Sequence, residues 1–160
     1  LVQLDEPVLT EVVHGVPRDS ARQQRSFMCG ALGEKLAAAE ELAFAERLLG
    51  AVTAGFPRER LALHVCRGNW STDETLALRG SYAPLRDFLF RVPVGTLFLE
   101  LSTPRAGERE LLLDLPADKS LGVGVVNPKD PRVETSAEIR AVAELFVARL
   151  GAERVRLTPD

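Results

Sequence analysis

The sequence predicts an α/β fold built around a parallel β-sheet. Two observations support this prediction. Five short apolar runs are mostly continuous rather than alternating, as is typical of strands buried on both faces of a parallel sheet. Helical patterns separate several of these runs, which gives the strand–helix–strand order of parallel α/β proteins. The predicted strands are Leu1–Leu4, Leu61–Val65, Thr96–Leu101, Leu121–Val126 and Val155–Leu157.

Three helices are predicted between these strands. From Leu32 to Val52, apolar residues recur at intervals of three or four and form one stripe. A shorter helix is predicted from Tyr82 to Phe90. The third lies between the fourth and fifth strands, where Thr135 and Glu138 have the spacing of a capping box. Gly151 is suited to the end of that helix.

Two connections are predicted to lack a helix. The chain after the first strand forms a long loop that includes His14 and Cys29. Residues 104–115 form a second loop with a short apolar piece. Gly122 and Gly124 fall inside a predicted strand, so they do not form a phosphate-binding loop.

Both an open, doubly wound sheet and a closed (β/α)8 barrel fit this order of elements. A closed barrel of this type usually needs about 250 residues. This chain has 160 residues and would supply five of the eight strands. Both ends fall on predicted strands, and the sequence does not start with Met. We therefore expect residues 1–160 to form a single domain, a TIM-type barrel that is incomplete at both ends.

The composition excludes several classes of protein. Hydrophobic residues make up 46% of the chain and charged residues 27%, which is typical of a globular domain. A net charge of −3 argues against nucleic-acid binding through bulk positive charge. No apolar run approaches the roughly 18 residues of a membrane span. The two cysteines are too few for a disulfide-stapled scaffold, and we expect a cytoplasmic protein.

Candidate metal ligands lie on the second and third predicted strands. His64 and Cys66 are two residues apart, so both side chains point to the same face of the sheet. Imidazole and thiolate are good zinc ligands, and Glu100 on the next strand would add a carboxylate at a similar height. Such a set leaves one coordination position for a substrate. The alternative is that Cys66 is a buried free thiol and the His-x-Cys spacing is fortuitous.

Other polar residues lie near the carboxyl ends of the predicted strands, where parallel α/β proteins collect their functional groups. Tyr82 either stacks on a flat ligand or packs in the core. The candidate polar residues are Asp5, Glu6, Arg67, Asn69, Ser102, Arg105 and Lys129.

Taken in order, these motifs resemble the catalytic barrel of cobalamin-independent methionine synthases, and especially the shorter methionine-synthase-like branch. That family has a (β/α)8 barrel, a fold it shares with uroporphyrinogen decarboxylase. The resemblance implies that residues 1–160 form the carboxyl-terminal part of the barrel, with about its last five strands. The matching segments are Asp5-Glu6-Pro7, His64-Val65-Cys66-Arg67-Gly68-Asn69, Leu99-Glu100 with Arg105 and Gly107, and Leu121 to Glu134.

The resemblance implies a zinc ion bound by His64, Cys66, Glu100 and a later cysteine. In the family that cysteine follows a Pro-Asp pair. Pro159 and Asp160 end the sequence, so the expected fourth ligand would be the next residue.

The resemblance also implies substrate contacts. Asp5 matches the acid that contacts the amino group of homocysteine, although it could instead cap a turn, as could Glu6. Ser102 belongs to the same candidate substrate set. Arg67, Asn69 and Arg105 are features of the shorter branch that we expect at the pocket mouth, where guanidinium groups suit carboxylates or sulfonates.

Lys129 is the second candidate catalytic residue beside Asp5. It lies where the full-length enzymes carry a histidine that is thought to donate a proton, and the shorter branch often has lysine there. The proton-donor role therefore does not transfer to Lys129. Its ammonium group either contacts an anionic part of a substrate or is simply solvated.

The expected activity is zinc-dependent transfer of a methyl group from a methyltetrahydrofolate-type donor to the thiol of homocysteine, which gives methionine. One alternative is alkyl transfer to another thiol, such as coenzyme M. Others are a non-catalytic zinc-binding barrel relative and a decarboxylase of the sister family. Asp5 distinguishes the first from a binding-only relative, because such a site needs no anchor for an amino group.

Overall fold

The computed structural model describes residues 1–14, 37–67, 79–103 and 109–159. Within these ranges the chain forms a five-stranded sheet with α-helices in the connections. The strands are β1 (Val2–Glu6), β2 (Leu61–Val65), β3 (Thr96–Leu99), β4 (Ser120–Val126) and β5 (Val155–Pro159). The helices are α1 (Leu9–His14), α2 (Ala38–Thr53), α3 (Arg86–Arg91) and α4 (Ser136–Leu150).

All neighbouring strands are parallel and follow the order β1-β2-β3-β4-β5. The predicted parallel α/β fold is therefore confirmed. The order lacks the reversal that defines a doubly wound sheet, and it is compatible with part of a barrel. One register row crosses the whole sheet and contains Asp5, His64, Phe98, Gly122 and Arg156.

The two faces of the sheet differ in composition. One face carries the buried apolar side chains of β2 and β3, such as Leu63 and Leu97, which pack into the core with α3 and α4. The opposite face carries the row that contains Asp5 and His64, and we call it the site face. Alternation along each strand places Cys66 on the site face as well.

Helix α4 begins and ends as the sequence predicts. The Thr135 Oγ1 accepts a hydrogen bond from the Glu138 amide at 3.3 Å, and the Thr135 amide donates to Glu138 Oε2 at 2.7 Å. The Thr135 hydroxyl also donates to Glu138 Oε2 at 2.7 Å. The amide and hydroxyl bonds from Thr135, together with the Arg132 guanidinium, lower the pKa of Glu138 to about 2. Gly151 caps the other end with a φ of 89°, a conformation that favours glycine.

Helix α2 confirms a predicted helix but corrects its packing. Its predicted first turns, residues 32–36, lie outside the described residues. Leu42 and Leu49 pack against the core, whereas Leu48 and Val52 are 51% and 54% exposed. The predicted apolar stripe is therefore only partly buried, because within the described part of the chain one edge of α2 contacts the core.

Several predicted boundaries differ from the structure. β1 includes Asp5 and Glu6, which the sequence placed after the strand, and β3 stops at Leu99, so Glu100 lies just beyond it. The predicted helix from Tyr82 consists of a 3₁₀ turn, Ala83–Leu85, followed by α3.

Helix α1 lies where a loop was predicted. The Glu6 carboxylate accepts a hydrogen bond from the Val8 amide at 2.9 Å just before this helix, and burial raises the pKa of Glu6. Farther along, Glu110–Leu112 forms a 3₁₀ turn inside the predicted second loop, and residues 104–108 of that loop lie outside the described residues. No described helix has the length and apolar character needed to cross a membrane.

Candidate active site

The site face brings Asp5 and His64 together. The two residues are register partners on β1 and β2, and neighbouring strands lie about 4.8 Å apart. Asp5 is exposed, and its Oδ1 accepts a hydrogen bond from Gln3 Nε2 at 2.7 Å. An exposed carboxyl side chain therefore lies beside an imidazole on the site face.

Cys66 follows β2 on the same face as His64. Its backbone is fixed from two sides, because its amide donates to the Glu6 carbonyl at 3.2 Å and its carbonyl accepts from Thr10 Oγ1 at 2.8 Å. The thiol belongs to a half-buried residue and is not in a disulfide. The strand ends of β1 and β2 therefore hold Cys66 two residues beyond His64, on the same face as the pair of Asp5 and His64.

Glu100 lies one residue beyond β3 and is only 1% exposed. Its Oε1 accepts hydrogen bonds from the Thr103 amide at 3.0 Å, from Thr103 Oγ1 at 2.8 Å and from Ser102 Oγ at 3.3 Å. Its Oε2 lies 3.6 Å from Arg67 Nε. Both oxygens of this carboxylate therefore face groups of the protein itself.

Arg67 is buried rather than placed at a solvent-open pocket mouth, where the sequence suggested it. Only 1% of the residue is exposed, and its guanidinium carbon lies 4.2 Å from the centre of the Tyr82 ring. Tyr82 is itself fully buried, so it packs in the core as one of its two interpretations expected. Through the Tyr82 ring, Arg67 contacts the hydrophobic core.

The predicted zinc ligands are residue types that bind zinc, and they lie at the ends of neighbouring strands. Their side chains do not form a complete ligand set. Among the residues that the structure describes, no three His, Cys, Asp or Glu side chains are close enough to hold one ion. The Glu100 carboxylate is directed to Arg67 and Thr103. His64 and Cys66 therefore form the candidate pair, and Glu100 as it stands is not joined to it.

An aromatic ring forms part of the site face beside His64. Phe98 is the register partner of both His64 and Gly122, and its ring lies over Gly122. A Cβ on Gly122 would overlap this ring, which explains why glycine occupies the position. No sequence pattern indicates this contact, because only the register of β3 and β4 brings the two residues together.

Lys129 lies in a turn after β4 that polar side chains organise. The Lys129 amide donates to Asn127 Oδ1 at 3.1 Å, and the Asn127 amide donates to Glu134 Oε1 at 3.0 Å. A cavity of about 280 Å³ adjoins this turn and is also lined by Ser102 and Val142 of α4. The cavity lies toward the helix side of the sheet, and the role of the Lys129 ammonium group stays a prediction.

The remaining predicted site residues separate into two groups. Glu6 has the opposite side-chain parity to Asp5, and its carboxylate faces the amide before α1, so it caps a turn as its alternative interpretation expected. Asn69 and Arg105 lie outside the described residues. Thr103 was not anticipated, although a hydroxyl residue three positions after a glutamate is the usual signal for such a local hydrogen bond.

Comparison with known proteins adds a partial similarity. No family model matches the chain. A protein named "Methionine synthase" from Pyrococcus furiosus is 30% identical over 101 residues, which is 63% of this chain. The chain spans about a quarter of the length of this curated relative, as the matched part is 26% of it. The similarity supports a methionine-synthase-like relationship.

Proposed function

We propose that this protein transfers a methyl group from a methyltetrahydrofolate-type donor to the thiol of homocysteine and so forms methionine. Two findings support the proposal: the partial similarity to a protein named methionine synthase, and the site face. The observation that carries it is the pairing of Asp5 with His64, with Cys66 two residues beyond His64. We place this activity in the cytoplasm, where free cysteines stay reduced.

The proposal extends to the architecture. We propose that residues 1–160 are the carboxyl-terminal part of a (β/α)8 barrel of the cobalamin-independent methionine synthase type. Sequential parallel order of five strands, with helices between them, supports this proposal. In such a barrel the site face would line the interior, and Asp5, His64 and Cys66 would lie at the carboxyl-terminal rim.

Asp5 acts as the anchor of the acceptor. Its exposed carboxylate attracts the ammonium group of homocysteine, and three carbon atoms separate that group from the acceptor's sulfur. This length matches the spacing of about 4.8 Å between β1 and β2, so the sulfur lies near His64 and Cys66. Holding the thiol in line with the donor's methyl carbon lowers the entropic part of the barrier.

We further propose that His64, Cys66 and Glu100 bind Zn²⁺. When bound, zinc lowers the pKa of a coordinated thiol and keeps it as a reactive thiolate. Lys129 contacts an anionic part of a substrate, and Ser102, Arg67, Asn69 and Arg105 complete the proposed polar surroundings. The sulfur of the acceptor forms the new bond to the methyl carbon, and the donor nitrogen keeps the electron pair of the broken bond.

Asp5 also distinguishes between homocysteine and the alternative thiol acceptor, coenzyme M. Coenzyme M carries a sulfonate and no amino group, so an exposed carboxylate beside the reaction centre would repel it. A non-catalytic relative has no need of such an anchor. The site face therefore favours an amino-acid thiol as the acceptor.

The test is a methyl-transfer assay on the protein in its full natural length, with zinc content measured on the same samples. We expect Asp5→Asn to raise the KM for homocysteine about tenfold, the loss typical of one charge-assisted hydrogen bond, and to leave zinc in place. Cys66→Ala should lose both zinc and activity. The matched control is Cys29→Ala, the other cysteine of the chain, which should lose neither.

Three results would contradict the proposal. An unchanged KM in Asp5→Asn would remove the anchor role of Asp5. Normal zinc content in Cys66→Ala would remove Cys66 from the ligand set, and the absence of methionine formation in the wild-type protein would refute methyl transfer to homocysteine.

A further inference from the structure

The Glu100 carboxylate, a proposed zinc ligand, is already held by a buried network of protein groups. Its Oε1 holds three hydrogen-bond donors from Ser102 and Thr103, and its Oε2 faces Arg67 at 3.6 Å. The Arg67 and Glu100 side chains are 0% and 1% exposed. This is the geometry of a desolvated ion pair, and among the described residues Glu100 does not form a group with His64 and Cys66 that could hold a metal ion.

Three separate elements hold this network in place. Arg67 follows β2, Glu100 follows β3, and Tyr82 precedes the 3₁₀ turn that leads into α3. The Tyr82 ring supports the guanidinium at 4.2 Å, a cation–π contact in a fully buried environment. Arg67 therefore has a fixed position, and the carboxylate has to move if the two groups are to separate.

Separation of a buried ion pair carries a high cost, because it leaves an uncompensated charge in a medium of low dielectric constant. The free energy of metal binding has to offset this cost if the metal is to bind Glu100. The hydrogen bonds that Thr103 donates to Oε1 hold the carboxylate in the same orientation. The contacts with Arg67 and Thr103 therefore oppose a movement of Glu100 toward a metal ion.

We infer that Arg67 and a metal ion on the site face compete for the Glu100 carboxylate, so that Arg67 and Thr103 limit the metal affinity of the site. This inference rests on the proposed ligand role of Glu100. It assigns Arg67 and Thr103 as positioning residues that act through Glu100. It differs from an arrangement in which Arg67 supports a carboxylate already bound to metal, since that arrangement requires Arg67 for tight binding.

The two arrangements predict opposite effects of the same substitution. The experiment measures the zinc Kd of the full-length natural protein by competition with a chromogenic chelator. We expect Arg67→Met to bind zinc about tenfold more tightly than the wild type, the lower end of the range by which outer partners of ligands change metal affinity. We expect its metal-free form to melt at a lower temperature, because Glu100 loses its counter-charge.

Thr103→Val supplies an independent test that keeps the ion pair and nearly the same side-chain volume. It removes one hydrogen bond to Oε1, the one at 2.8 Å, and we expect zinc binding to tighten about threefold. Thr103→Ser keeps the hydroxyl group and should bind zinc as the wild type does. This pair keeps the inference testable even when Arg67→Met does not fold.

Arg86→Met is the matched control for the loss of an arginine. Its guanidinium carbon lies 4.4 Å from the centre of the Phe90 ring, so it loses the same kind of cation–π contact, but away from Glu100. The zinc Kd of this variant should equal that of the wild type. Absorption spectra of the cobalt-substituted proteins add a second readout, because the band intensity reports whether a further ligand joins the metal.

The outcomes separate this inference from the proposed function. Tighter zinc binding in Arg67→Met and Thr103→Val supports it, as does zinc binding by Arg67→Met when the wild type binds none. Unchanged or weaker binding in both variants, with zinc in the wild type, overturns the inference and leaves the ligand proposal standing. No zinc in the wild type or in any variant overturns both.

Discussion

The two ends of the sheet each bury a cation, but they hold it in different ways. At the carboxyl end Arg67 is 1% exposed and faces two side chains, Glu100 and Tyr82. At the amino end Lys119 is 2% exposed, and its Nζ donates to the backbone carbonyls of Val92 and Val94 at 2.5 and 2.8 Å. The partners are rotatable side chains at one end and fixed main-chain groups at the other.

The amino end is closed by further main-chain contacts. Arg154 donates to the carbonyls of Lys119 and Leu115 at 2.8 and 3.0 Å. The Gly95 amide, just before β3, donates to the Arg58 carbonyl at 2.7 Å. A carbonyl group cannot turn to another partner without moving the chain, whereas a carboxylate can. The contacts at the amino end are therefore fixed with the main chain, whereas those of Arg67 and Glu100 at the carboxyl end depend on side-chain orientation.

Gly95→Ala has the largest expected effect on stability, and it tests the main-chain contacts at the amino end of the sheet. A Cβ at this position would lie 2.6 Å from the Arg58 carbonyl oxygen and 2.9 Å from Glu59 Cα. Both neighbours are backbone, so neither gives way, and we expect a loss of about 2–3 kcal/mol in the free energy of unfolding. Chemical denaturation measures it. The control is Gly50→Ala in α2, where a Cβ meets nothing within 4 Å, and which should be neutral or slightly stabilising.

Gly122→Ala makes the same change on the site face and should cost less, about 1 kcal/mol, because its neighbour is the ring of a half-buried side chain that can rotate. The double variant with Phe98→Leu should recover part of that loss, since the overlapping ring is gone. Denaturant titration of the two single variants and the double variant gives the coupling energy. A cost equal to that of Gly95→Ala would contradict the proposed difference between the ends.

The smallest predicted effect is the pH dependence of stability that Lys119 causes. Burial lowers the pKa of Lys119 from its ordinary 10.5 to about 8. Between these values the unfolded chain binds more protons than the folded one, so stability rises with pH. From pH 7 to 8.5 we expect a rise of somewhat under 1 kcal/mol, as measured by urea denaturation.

Lys119→Met is the reference for this pH experiment. It cannot titrate, so its stability should lack the rise between pH 7 and 8.5. An equal rise in the variant and the wild type would assign the effect to other groups and refute the account of Lys119.

Local patterns in the sequence determined most of the secondary structure. The capping box at Thr135 and Glu138 specifies the start of α4, and Gly151 specifies its end, because each signal acts within a few residues. Continuous apolar runs located the strands for the same reason. Helix α1 was predicted as a loop, because a six-residue helix has too few turns to show an apolar period.

The candidate site was predicted in part. His64 and Cys66 share a face because of their spacing, and the parallel register places Asp5 beside His64. The burial of Arg67 was not predicted, because the residue after a strand end is usually solvated. Its partners Tyr82 and Glu100 are 15 and 33 residues away in the chain, and no local pattern links them.

The sequence by itself determined the parallel α/β class, the positions of the strands and the residue types at their carboxyl ends. Those features depend on side-chain periodicity and on contacts within one turn of the chain. Only the tertiary structure decided which way the Glu100 carboxylate points, that Phe98 covers Gly122, and that backbone carbonyls hold Lys119. These contacts join distant segments, and their energies depend on burial, which exists only once the sheet and its helices have packed.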